Sequence, residues 1–442
     1  MNRRCLAIVL AAGSGSRMNS ALPKVLHPIA GKPMISHVME TIAAIGIRDV
    51  ALILGHGAEL VSKIDFPPEL SVEHFIQDMQ QGTAHAVLLA RNAIKRGYDD
   101  VVIMYGDVPL ISSHTLNRAL QVINQGYDLA VIGFRSNNPE GYGRLLMENN
   151  ELKAIREEKD ATDKEKNIRY CNSGLMVASG NQILDWLVKI KKNDKTQEYY
   201  LTDIVEIARL DGKSITSLES EEEEVCGCNN RFDLAMIEKI WQSRYRHHMM
   251  LSGVTIIAPE TVFLSHDTSI ASDTVIEPHV VFGCGVTIEN FVRIRSFSYL
   301  EGVYISQNAI IGPFARLRQD SIIEQNARIG NFCEIKKSVV GEGSKINHLS
   351  YIGDGFIGKN VNIGAGSITC NYDGIDKHET HIGDNAFVGS NSSLVAPISI
   401  GLGSYIASGS VVTENTPENS LVLARSRQII KEHRALSMRE KK

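Results

Sequence analysis

The sequence predicts an α/β domain with a mainly parallel sheet, followed by a solenoid of short, parallel β-strands. Two observations carry this prediction. Strand-like and helix-like runs alternate in the first half. From Leu264 to Ile363, and again from Ile382 to Val412, an aliphatic or aromatic residue returns every six residues, apart from three steps of five. The length agrees, because single cores stop growing at about 250–300 residues and this chain has 442.

The first domain begins with "CLAIVLAAG", a continuous apolar run typical of a strand that is buried on both faces. Further strand-like runs cover 50–54, 72–76, 101–105 and 129–134, with helix-like runs such as "MISHVMETIAAIG" between them. This alternation predicts a Rossmann-like, mainly parallel sheet with helices on both faces. Ligands of such sheets bind at the carboxyl ends of the strands.

Groups suited to a nucleotide follow two of these strands. After the first strand, "GSGSRM" and "LPK" provide glycine amides, Arg17 and Lys24, and after the strand at 101–105, "GDVP" provides Asp107. The first loop is not a P-loop, because no G-K-[ST] follows it. A carboxylate leaving a strand is a natural Mg²⁺ ligand beside phosphates. A turn aspartate before proline is an equally good explanation of Asp107 at this point.

The second domain is predicted from a period of six residues. The register positions are Leu264, Ile270, Ile276, Phe282, Ile288, Ile294, Leu300, Ile305, Ile311, Leu317, Ile323, Ile329, Ile335, Val340, Ile346, Ile352, Ile357, Ile363, Ile382, Val388, Leu394, Ile400, Ile406 and Val412. The residue two positions earlier is usually small or β-branched, and alternate residues of a strand point the same way. Each hexad therefore directs one large and one small side chain inward, which predicts a β-helix.

The register is interrupted between Ile363 and Ile382, where the chain reads "GSITCNYDGIDKHET". A solenoid that keeps its period elsewhere and ejects one loop is expected to use that loop. The alternative is a tolerated insertion. Glycine often follows the aliphatic position, and we expect it there to form a tight corner.

Composition and charge exclude several functional classes. The chain is 43% hydrophobic and 22% charged, and its net charge is −5, which argues against nucleic acid as the main partner. No apolar run reaches the length of a membrane span. The arginines and the short apolar run at the N-terminus suit a first strand better than a signal peptide, so we expect a cytoplasmic protein.

The seven scattered cysteines are expected to be reduced and mostly buried, and "CGC" at 226–228 is a weak metal motif.

Motifs along the whole chain resemble one enzyme family. "LAAGSGSRMNSALPKVL" is similar to the signature of sugar nucleotidyltransferases. "QQGTAHA", "YGDVPL", "GYGR", "EEKDAT", "CNSGL" and "EYYLTD", and then "GPFARLR", "GNFCEIKK", "NHLSYIGD" and "NIGAGSITCNYDG", follow in the order expected for the bifunctional N-acetylglucosamine-1-phosphate uridyltransferase / glucosamine-1-phosphate acetyltransferases. The resemblance implies a left-handed β-helix with three hexads per coil.

For the first domain, the resemblance implies a UTP and N-acetylglucosamine 1-phosphate site with Mg²⁺. The residues that would hold the uridine nucleotide are Leu10, Ala11, Ala12, Gly13, Gln77, Gly82 and Thr83, with Arg17 and Lys24 neutralising the triphosphate. The residues that would hold the sugar phosphate are Tyr105, Gly106, Gly143, Glu157 and Asn172. Asp107 and Asn229 would bind the metal ion.

For the solenoid, the resemblance implies acetyl transfer from acetyl-CoA to glucosamine 1-phosphate, with His348 as the base. Arg318, Lys336, Tyr351 and Asn362 would hold the amino-sugar phosphate, and Ala365, Asn371, Tyr372, Ser390, Ser408 and Arg425 would contact acetyl-CoA. Ser408 departs from the alanine expected there. Alternation from Ile346 would direct His348 inward, whereas a corner of the coil would place it at the groove beside Tyr351; the sequence leaves both placements open.

The expected organisation is a uridyltransferase domain at 1–229, a linker helix at 230–250 and a β-helix acetyltransferase domain at 251–442. The expected product is UDP-N-acetylglucosamine, a precursor of peptidoglycan and lipopolysaccharide, and a homotrimer with coenzyme sites between subunits is implied. In an alternative reading, the first domain alone is catalytic and the solenoid is a trimerisation or regulatory module.

Overall fold

A computed structural model of the chain describes residues 3–149 and 151–439. It has two compact units, Met1–Trp241 and Gln242–Lys442. Within the described ranges, no helix combines the length and the apolar character needed to cross a bilayer.

The first unit is built on a nine-stranded sheet, with β2 and β3 forming a separate hairpin. Its strands are β1 (Cys5–Ala11), β2 (Pro28–Ile29), β3 (Lys32–Pro33), β4 (Asp49–Leu54), β5 (Ser71–Ile76), β6 (Asp100–Tyr105), β7 (Leu129–Arg135), β8 (Arg144–Glu148), β9 (Glu151–Arg156), β10 (Tyr170–Ser179) and β11 (Ile215–Ser220). The main order is β11-β7-β10-β6-β1-β4-β5, in which β10 alone is antiparallel to its neighbours. The hairpin of β8 and β9 joins the sheet through β10. The predicted strands are confirmed.

Helices cover both faces of this sheet, as predicted. The α-helices up to the end of the first unit are α1 (Met34–Ala44), α2 (Ala58–Val61), α3 (Thr83–Leu89), α4 (Arg91–Ile94), α5 (Ser113–Asn124), α6 (Asp163–Lys166), α7 (Ile183–Lys189), α8 (Ile204–Leu210) and α9 (Arg231–Leu251). Short 3₁₀ turns cover Ser16–Met18, Lys24–Leu26, Leu201–Asp203 and Glu222–Glu224. One core packs α3, α7 and α8 against the sheet, and the core on the other face packs α1 and α5. Six of the seven residues of β1 are buried, because helices cover both of its sides.

The second unit is a parallel β-helix with three faces. Face 1 contains β12 (Thr255–Ile256), β14 (Val275–Ile276), β17 (Arg293–Ile294), β20 (Ile310–Ile311), β23 (Arg328–Asn331), β26 (Lys345–His348), β29 (Asn362–Ile363), β32 (Phe387–Val388), β35 (Tyr405–Ile406) and β37 (Leu421–Val422). Face 2 contains β13 (Ser269–Ile270), β16 (Thr287–Ile288), β19 (Val303–Ile305), β22 (Ser321–Ile323), β25 (Val339–Val340), β28 (Gly355–Ile357), β31 (Thr380–Ile382) and β34 (Ile398–Ile400). Face 3 contains β15 (Val281–Phe282), β18 (Tyr299–Leu300), β21 (Arg316–Leu317), β24 (Glu334–Lys336), β27 (Tyr351–Gly353), β30 (Ile368–Cys370), β33 (Ser393–Val395) and β36 (Val411–Val412). A short 3₁₀ turn, Pro259–Thr261, precedes β13.

The predicted inward register is confirmed, since every aliphatic or aromatic position named for it is buried. The register also continues further than predicted. Thr369 occupies the next inward position after Ile363, with the small Ser367 two residues before it, and both are buried. The hydroxyl of Thr369 accepts a hydrogen bond from the amide of Gly353 and donates one to its carbonyl. The ejected loop therefore begins after Cys370 and comprises residues 371–379. The apolar pattern does not reveal the inward position at Thr369, because its side chain is polar.

The glycines that follow the register position have a different cause from the one predicted. Among them, Gly312 has a positive φ, whereas Gly330, Gly364 and Gly383 do not. A Cβ on Gly330 would lie 1.9 Å from the carbonyl oxygen of Asn347, and one on Gly383 would lie 2.6 Å from the amide nitrogen of Leu402. These positions are restricted to glycine because the next coil stacks directly on them, and not because of the turn conformation.

The helix α9 spans the border between the two units, which falls after Trp241. Its second half covers the start of the solenoid. Gln242 and Arg246 donate hydrogen bonds to the carbonyls of Leu264 and Val262, at 2.6 and 2.9 Å. These bonds satisfy backbone groups at the open end of the coil, which is the function of a cap in a repeat protein. At the other end of the chain, α10 (Arg434–Arg439) is a short helix, and the last three residues lie outside the described range.

The seven cysteines, all within the described residues, form no disulfide, as expected, but only three of them are fully buried. Within the described residues, the cluster of possible metal ligands is His266, Asp267 and Cys284, and it excludes Cys226 and Cys228. The "CGC" motif therefore gains no support as a metal site.

Candidate active sites

The first candidate site is a cavity of about 530 Å³ in the first unit. It opens at the carboxyl ends of the parallel strands, since β1, β5 and β6 lead directly into Ala12, Gln77 and Asp107. The antiparallel β10 brings its amino end to the same edge and contributes Asn172. The predicted residues that line the cavity are Leu10, Ala11, Ala12, Gly13, Lys24, Gln77, Gly82, Thr83, Tyr105, Asp107, Gly143, Glu157, Asn172 and Asn229.

Two predicted residues lie elsewhere. Gly106 does not line the cavity: its amide donates to the carbonyl of Leu10 at 2.9 Å, and a Cβ there would lie 3.3 Å from that of Ala11. Arg17 lines a smaller adjoining cavity of about 220 Å³, which shares Gly13, Lys24 and Asn229 with the larger one. Arg17 is thus at the edge of the site, in a position to reach a ligand that extends from one cavity into the other.

Charged groups are paired where the two cavities meet. The ammonium of Lys24 forms an ion pair with Asp107, and both side chains are more than four-fifths buried. Arg17 donates to the amide oxygen of Asn229 at 2.9 Å. Asp107 and Asn229 are brought together through Cys228, whose amide donates to the carbonyl of Asp107 at 3.0 Å. A carboxylate and an amide oxygen in one cavity fit a hard divalent cation, with two cationic side chains beside it.

Glu157 and Tyr105 also line the cavity, and both are poorly hydrated. Burial raises the pKa of Glu157, although the hydroxyl of Thr202 donates to this carboxylate at 2.9 Å. Next to Thr202 in the chain, and outside the cavity lining, Asp203 has its pKa raised to about 6 by burial and then by the carboxylates of Glu206 and Glu157. Burial also raises the pKa of Tyr105. Side chains of this kind hold hydroxyl and amide groups by hydrogen bonds without a strong charge, which suits a sugar.

Several lining residues were missed at the sequence level. They are Gln80, Tyr142, Ser173, Gly174, Glu198, Tyr200 and Thr202. Gln80 donates to the carbonyl of Ala12 at 2.9 Å, which ties the loop at 77–83 to the end of β1. Gly174 has φ +84°, and a Cβ there would lie 2.6 Å from the ring of Tyr105. All seven residues stand inside the quoted motifs "QQGTAHA", "GYGR", "CNSGL" and "EYYLTD", so the motifs carried the signal although single residues did not.

The second candidate site is a column of residues on the solenoid, which we call the His348 column. It contains Asn331, His348, Ala365, Ser390 and Ser408, one in each successive coil. Backbone hydrogen bonds connect it: the amides of Leu349, Gly366, Asn391 and Gly409 donate to the carbonyls of Asn331, His348, Ala365 and Ser390 at 2.8–3.2 Å. The column therefore unites the predicted base with three of the predicted coenzyme residues. Arg425 joins its end by donating to the carbonyl of Ser408 at 2.7 Å.

His348 lies at a corner of the coil. It ends β26, its side chain is exposed, and the following Leu349 has the left-handed φ of 52° that turns the chain from face 1 to face 3. The inward placement is therefore wrong and the corner placement is right. The Nδ1 atom of His348 lies 2.7 Å from the amide oxygen of Asn331, its direct partner in the parallel sheet. An oxygen only accepts, so Nδ1 donates to it, and in the neutral ring the lone pair is then on Nε2.

The predicted sugar-phosphate residues divide between the two sides of this corner. Arg318 and Lys336 occupy equivalent positions in successive coils of face 3, with Tyr351 close by on β27. Arg318 donates to Glu334 at 2.9 Å. Asn362 is instead on face 1, where it pairs with Lys345 in β26. The groups expected to hold one ligand therefore flank the corner that carries His348.

The ejected loop stands on face 3 beside these cations. Asn371 donates to Asp354 at 2.5 Å, and Tyr372 is exposed. A residue missed at the sequence level is Lys377, whose pKa is lowered by a hydrogen bond to Lys336 and by its charge. Two lysines in contact form an anion-binding position. The predicted coenzyme residues Asn371 and Tyr372 lie on this loop, apart from the backbone ladder of the His348 column.

Comparisons with known proteins agree with both halves. A MobA-like NTP transferase domain matches residues 7–168, a GMPPB C-terminal domain matches 299–375, and the hexapeptide repeat of succinyl-transferases matches 379–414. The "Bifunctional protein GlmU" of Agrobacterium fabrum is 56% identical over 441 residues, which cover 100% of this chain and 97% of that protein. The protein of the same name from Bartonella bacilliformis is 52% identical over 99% of this chain and 98% of its own.

The chain belongs to the GlmU family. The predicted fold class is confirmed: a nucleotidyltransferase domain precedes a hexapeptide-repeat β-helix of the left-handed type. As a member of the GlmU family, the chain is a bifunctional enzyme with nucleotidyltransferase and acetyltransferase activities in UDP-N-acetylglucosamine synthesis, as predicted. Nucleotidyl transfer by this class of domain generally needs a divalent metal ion, and the substrates of the GlmU family are small molecules.

Proposed function

We propose that the two candidate sites perform consecutive reactions. The β-helix, residues 251–442, transfers acetyl from acetyl-CoA to glucosamine 1-phosphate. The domain at 1–229 then transfers uridyl from UTP to the N-acetylated product, and residues 230–250 link the two as a helix. The observation that carries this proposal is the His348 column. It joins an imidazole whose Nδ1 is hydrogen-bonded to Asn331 to the predicted coenzyme residues, in the half of the chain for which a catalytic role was in doubt.

In uridyl transfer, a phosphate oxygen of N-acetylglucosamine 1-phosphate attacks the α-phosphorus of UTP, and pyrophosphate leaves. No protein nucleophile is required, so the residues act by positioning and charge neutralisation. Leu10–Gly13 and the loop from Gln77 to Thr83 would bind the uridine nucleotide. Arg17 and Lys24, at the junction of the two cavities, would neutralise the triphosphate and the departing pyrophosphate.

We propose Mg²⁺ as the divalent ion, held by the oxygens of Asp107 and Asn229. When bound, it supplies Lewis-acid charge neutralisation at the phosphates. Lys24 and Arg17 pair with these two residues, and in the complex they would turn to the phosphates. In the same cavity, Tyr105, Gly143, Glu157 and Asn172 would hold the sugar, while the packed Gly106 keeps the end of β6 close to β1.

In acetyl transfer, His348 would act as the general base. Nε2 accepts a proton from the amino group of glucosamine 1-phosphate, the nitrogen attacks the thioester carbon, and the bond to sulfur breaks to release coenzyme A, which takes up a proton. An amino sugar is partly an ammonium ion at neutral pH, and imidazole, with a reference pKa of about 6.5, suits this task. No covalent intermediate is needed.

The remaining residues of the second site would bind its substrates. Arg318 and Lys336, with Lys377 from the loop, would bind the phosphate, and Tyr351 and Asn362 would contact the sugar on either side of the corner. Acetyl-CoA would lie along the column and the loop, in contact with Ala365, Asn371, Tyr372, Ser390, Ser408 and Arg425.

We further propose a homotrimer that is active in the cytoplasm. Flat solenoid faces favour side-by-side packing with closed cyclic symmetry. All four substrates are soluble metabolites of the cell interior, which supports the location.

A coupled pair of assays tests the whole proposal. The wild-type enzyme should release coenzyme A only when glucosamine 1-phosphate is present. It should release pyrophosphate from UTP only with N-acetylglucosamine 1-phosphate and a divalent ion. Pyrophosphate release without any release of coenzyme A would favour the alternative of a non-catalytic solenoid, which the full-length match to bifunctional relatives makes the weaker reading.

A further inference from the structure

We propose that Asn331 is a positioning residue for acetyl transfer, which holds His348 in the tautomer and orientation that a base requires. The inference deepens the proposed function and rests on it. It concerns a residue of the "GNFCEIKK" motif to which the sequence assigned no role.

The contact between the two side chains is geometrically defined. Asn331 and His348 are the last residues of β23 and β26 and are direct partners in the parallel sheet. Their side chains meet with the amide oxygen 2.7 Å from Nδ1. That distance is at the short end of the usual range for a hydrogen bond between a nitrogen and an oxygen.

The backbone of both residues is held in place. The carbonyl of Asn331 accepts from the amide of Leu349 at 3.0 Å, and that of His348 accepts from the amide of Gly366 at 3.2 Å and from the hydroxyl of Ser350 at 2.9 Å. The side chain of His348 is exposed, so packing does not restrain the ring. The hydrogen bond to Asn331 is therefore the interaction that orients the imidazole.

The same bond determines which nitrogen reacts. A neutral imidazole carries one proton, and the partner of one ring nitrogen decides where that proton is. Because the amide oxygen accepts the Nδ1 proton, Nε2 is left with the lone pair that can take a proton from the substrate. An asparagine does this without a charge. The partners of His348 in its column, Asn331 and Ala365, are both neutral.

The test compares Asn331→Ala and Asn331→Asp with the wild type and with His348→Ala. Loss of the bond leaves a ring that rotates and samples both tautomers. Asn331→Ala should therefore lower kcat of acetyl transfer by about 10–100-fold, within the range of one misplaced catalytic group. The KM values for acetyl-CoA and glucosamine 1-phosphate should stay within about threefold of the wild-type values, because Asn331 acts through His348 and not through substrate binding. Pyrophosphate release by the first domain should be unchanged.

Asn331→Asp separates positioning from packing. It keeps an acceptor at Nδ1 and should retain more activity than Asn331→Ala at high pH. Its negative charge favours the imidazolium form, so the acid limb of the pH–rate profile should move to higher pH by about one unit. A merely structural role would not produce that shift.

The double variant Asn331→Ala/His348→Ala decides between acting through the histidine and acting independently. If Asn331 works through His348, adding Asn331→Ala to the His348→Ala enzyme should change the residual rate of acetyl transfer by less than twofold. An equal loss in both backgrounds, or an Asn331→Ala enzyme within twofold of the wild type, would overturn the proposal. If His348→Ala itself kept full acetyl transfer, the proposed base would be wrong, which is a different result from a failure of Asn331 alone.

Discussion

Replacement of Asp107 by alanine should separate the two activities of the enzyme. Asp107 leaves β6 at the edge of the first cavity and is the carboxylate proposed to bind the metal ion beside the phosphates. Removal of one such electrostatic group costs about 10²–10³-fold in kcat. We therefore expect uridyl transfer to fall at least tenfold even at saturating Mg²⁺, while acetyl transfer by the solenoid stays at the wild-type rate.

The same substitution also has a cost in stability, which must be distinguished from catalysis. The ion pair between Lys24 and Asp107 is largely buried, with side-chain exposures of 17% and 14%. Breaking a fully buried pair costs about 3–5 kcal/mol, and the residual hydration here reduces this to about 1–3 kcal/mol for the first domain. The double variant Asp107→Ala/Lys24→Met removes the unpaired charge, so it should recover stability but not uridyl transfer.

The assay is pyrophosphate release from UTP across a Mg²⁺ titration, with coenzyme A release and thermal unfolding measured on the same preparation. Asp65→Ala is the matched control, because Asp65 is exposed and lies outside the cavity. Uridyl transfer above a tenth of the wild-type rate at saturating Mg²⁺ would refute the role of Asp107 as a required metal ligand. Parallel losses of both activities would show that the substitution unfolds the protein.

Other predictions concern the solenoid, the partly buried Asp203 and the assembly. His348→Ala should lower acetyl transfer by about 10²–10⁴-fold, the range of a general base, and remove the acid limb of its pH profile; a rate within threefold of the wild type would make the histidine part of the scaffold only. Gly383→Ala forces a Cβ to within 2.6 Å of the amide nitrogen of Leu402 and should destabilise the solenoid by about 1–3 kcal/mol, seen as a lower unfolding temperature with pyrophosphate release intact. The raised pKa of Asp203, about 6, means that the folded state holds a proton that the unfolded state has lost, so unfolding free energy should decrease as pH rises from about 4 to 6. Asp203→Asn should flatten that decrease in urea titrations, and an unchanged slope would contradict the shift. Sedimentation equilibrium should give a trimer at micromolar concentration, and a stable monomer would exclude it.

The period of six residues was sufficient to predict the solenoid, because a repeated strand can bury its apolar side chain only on the inside of a coil. It predicted Ile346 and Ile363 as buried positions, and both are. It failed at Thr369, where the inward side chain is polar and is accommodated by its hydrogen bonds to Gly353. Hydrophobicity in the sequence does not reveal a partner that another coil supplies.

The residues that line the first cavity also divide into those that the sequence predicted and those that it missed. Strand ends such as Ala12 and Asp107 were predicted, since the carboxyl ends of parallel strands meet at one edge. Gln80, Tyr142 and Thr202 were missed, because they reach that edge from loops whose path depends on how the helices and the β8–β9 hairpin pack.

The sequence by itself therefore determined the two fold classes, the inward register and, through its motifs, the chemistry of both sites. The tertiary structure decided which residues touch. Asn331 and His348 are 17 residues apart in the chain, and they become neighbours because one turn of the solenoid brings the chain back to the same corner. The same return leaves no space for a side chain at Gly330 and places His348 at an exposed corner. Backbone packing between coils, and not local propensity, determines the space that each side chain has.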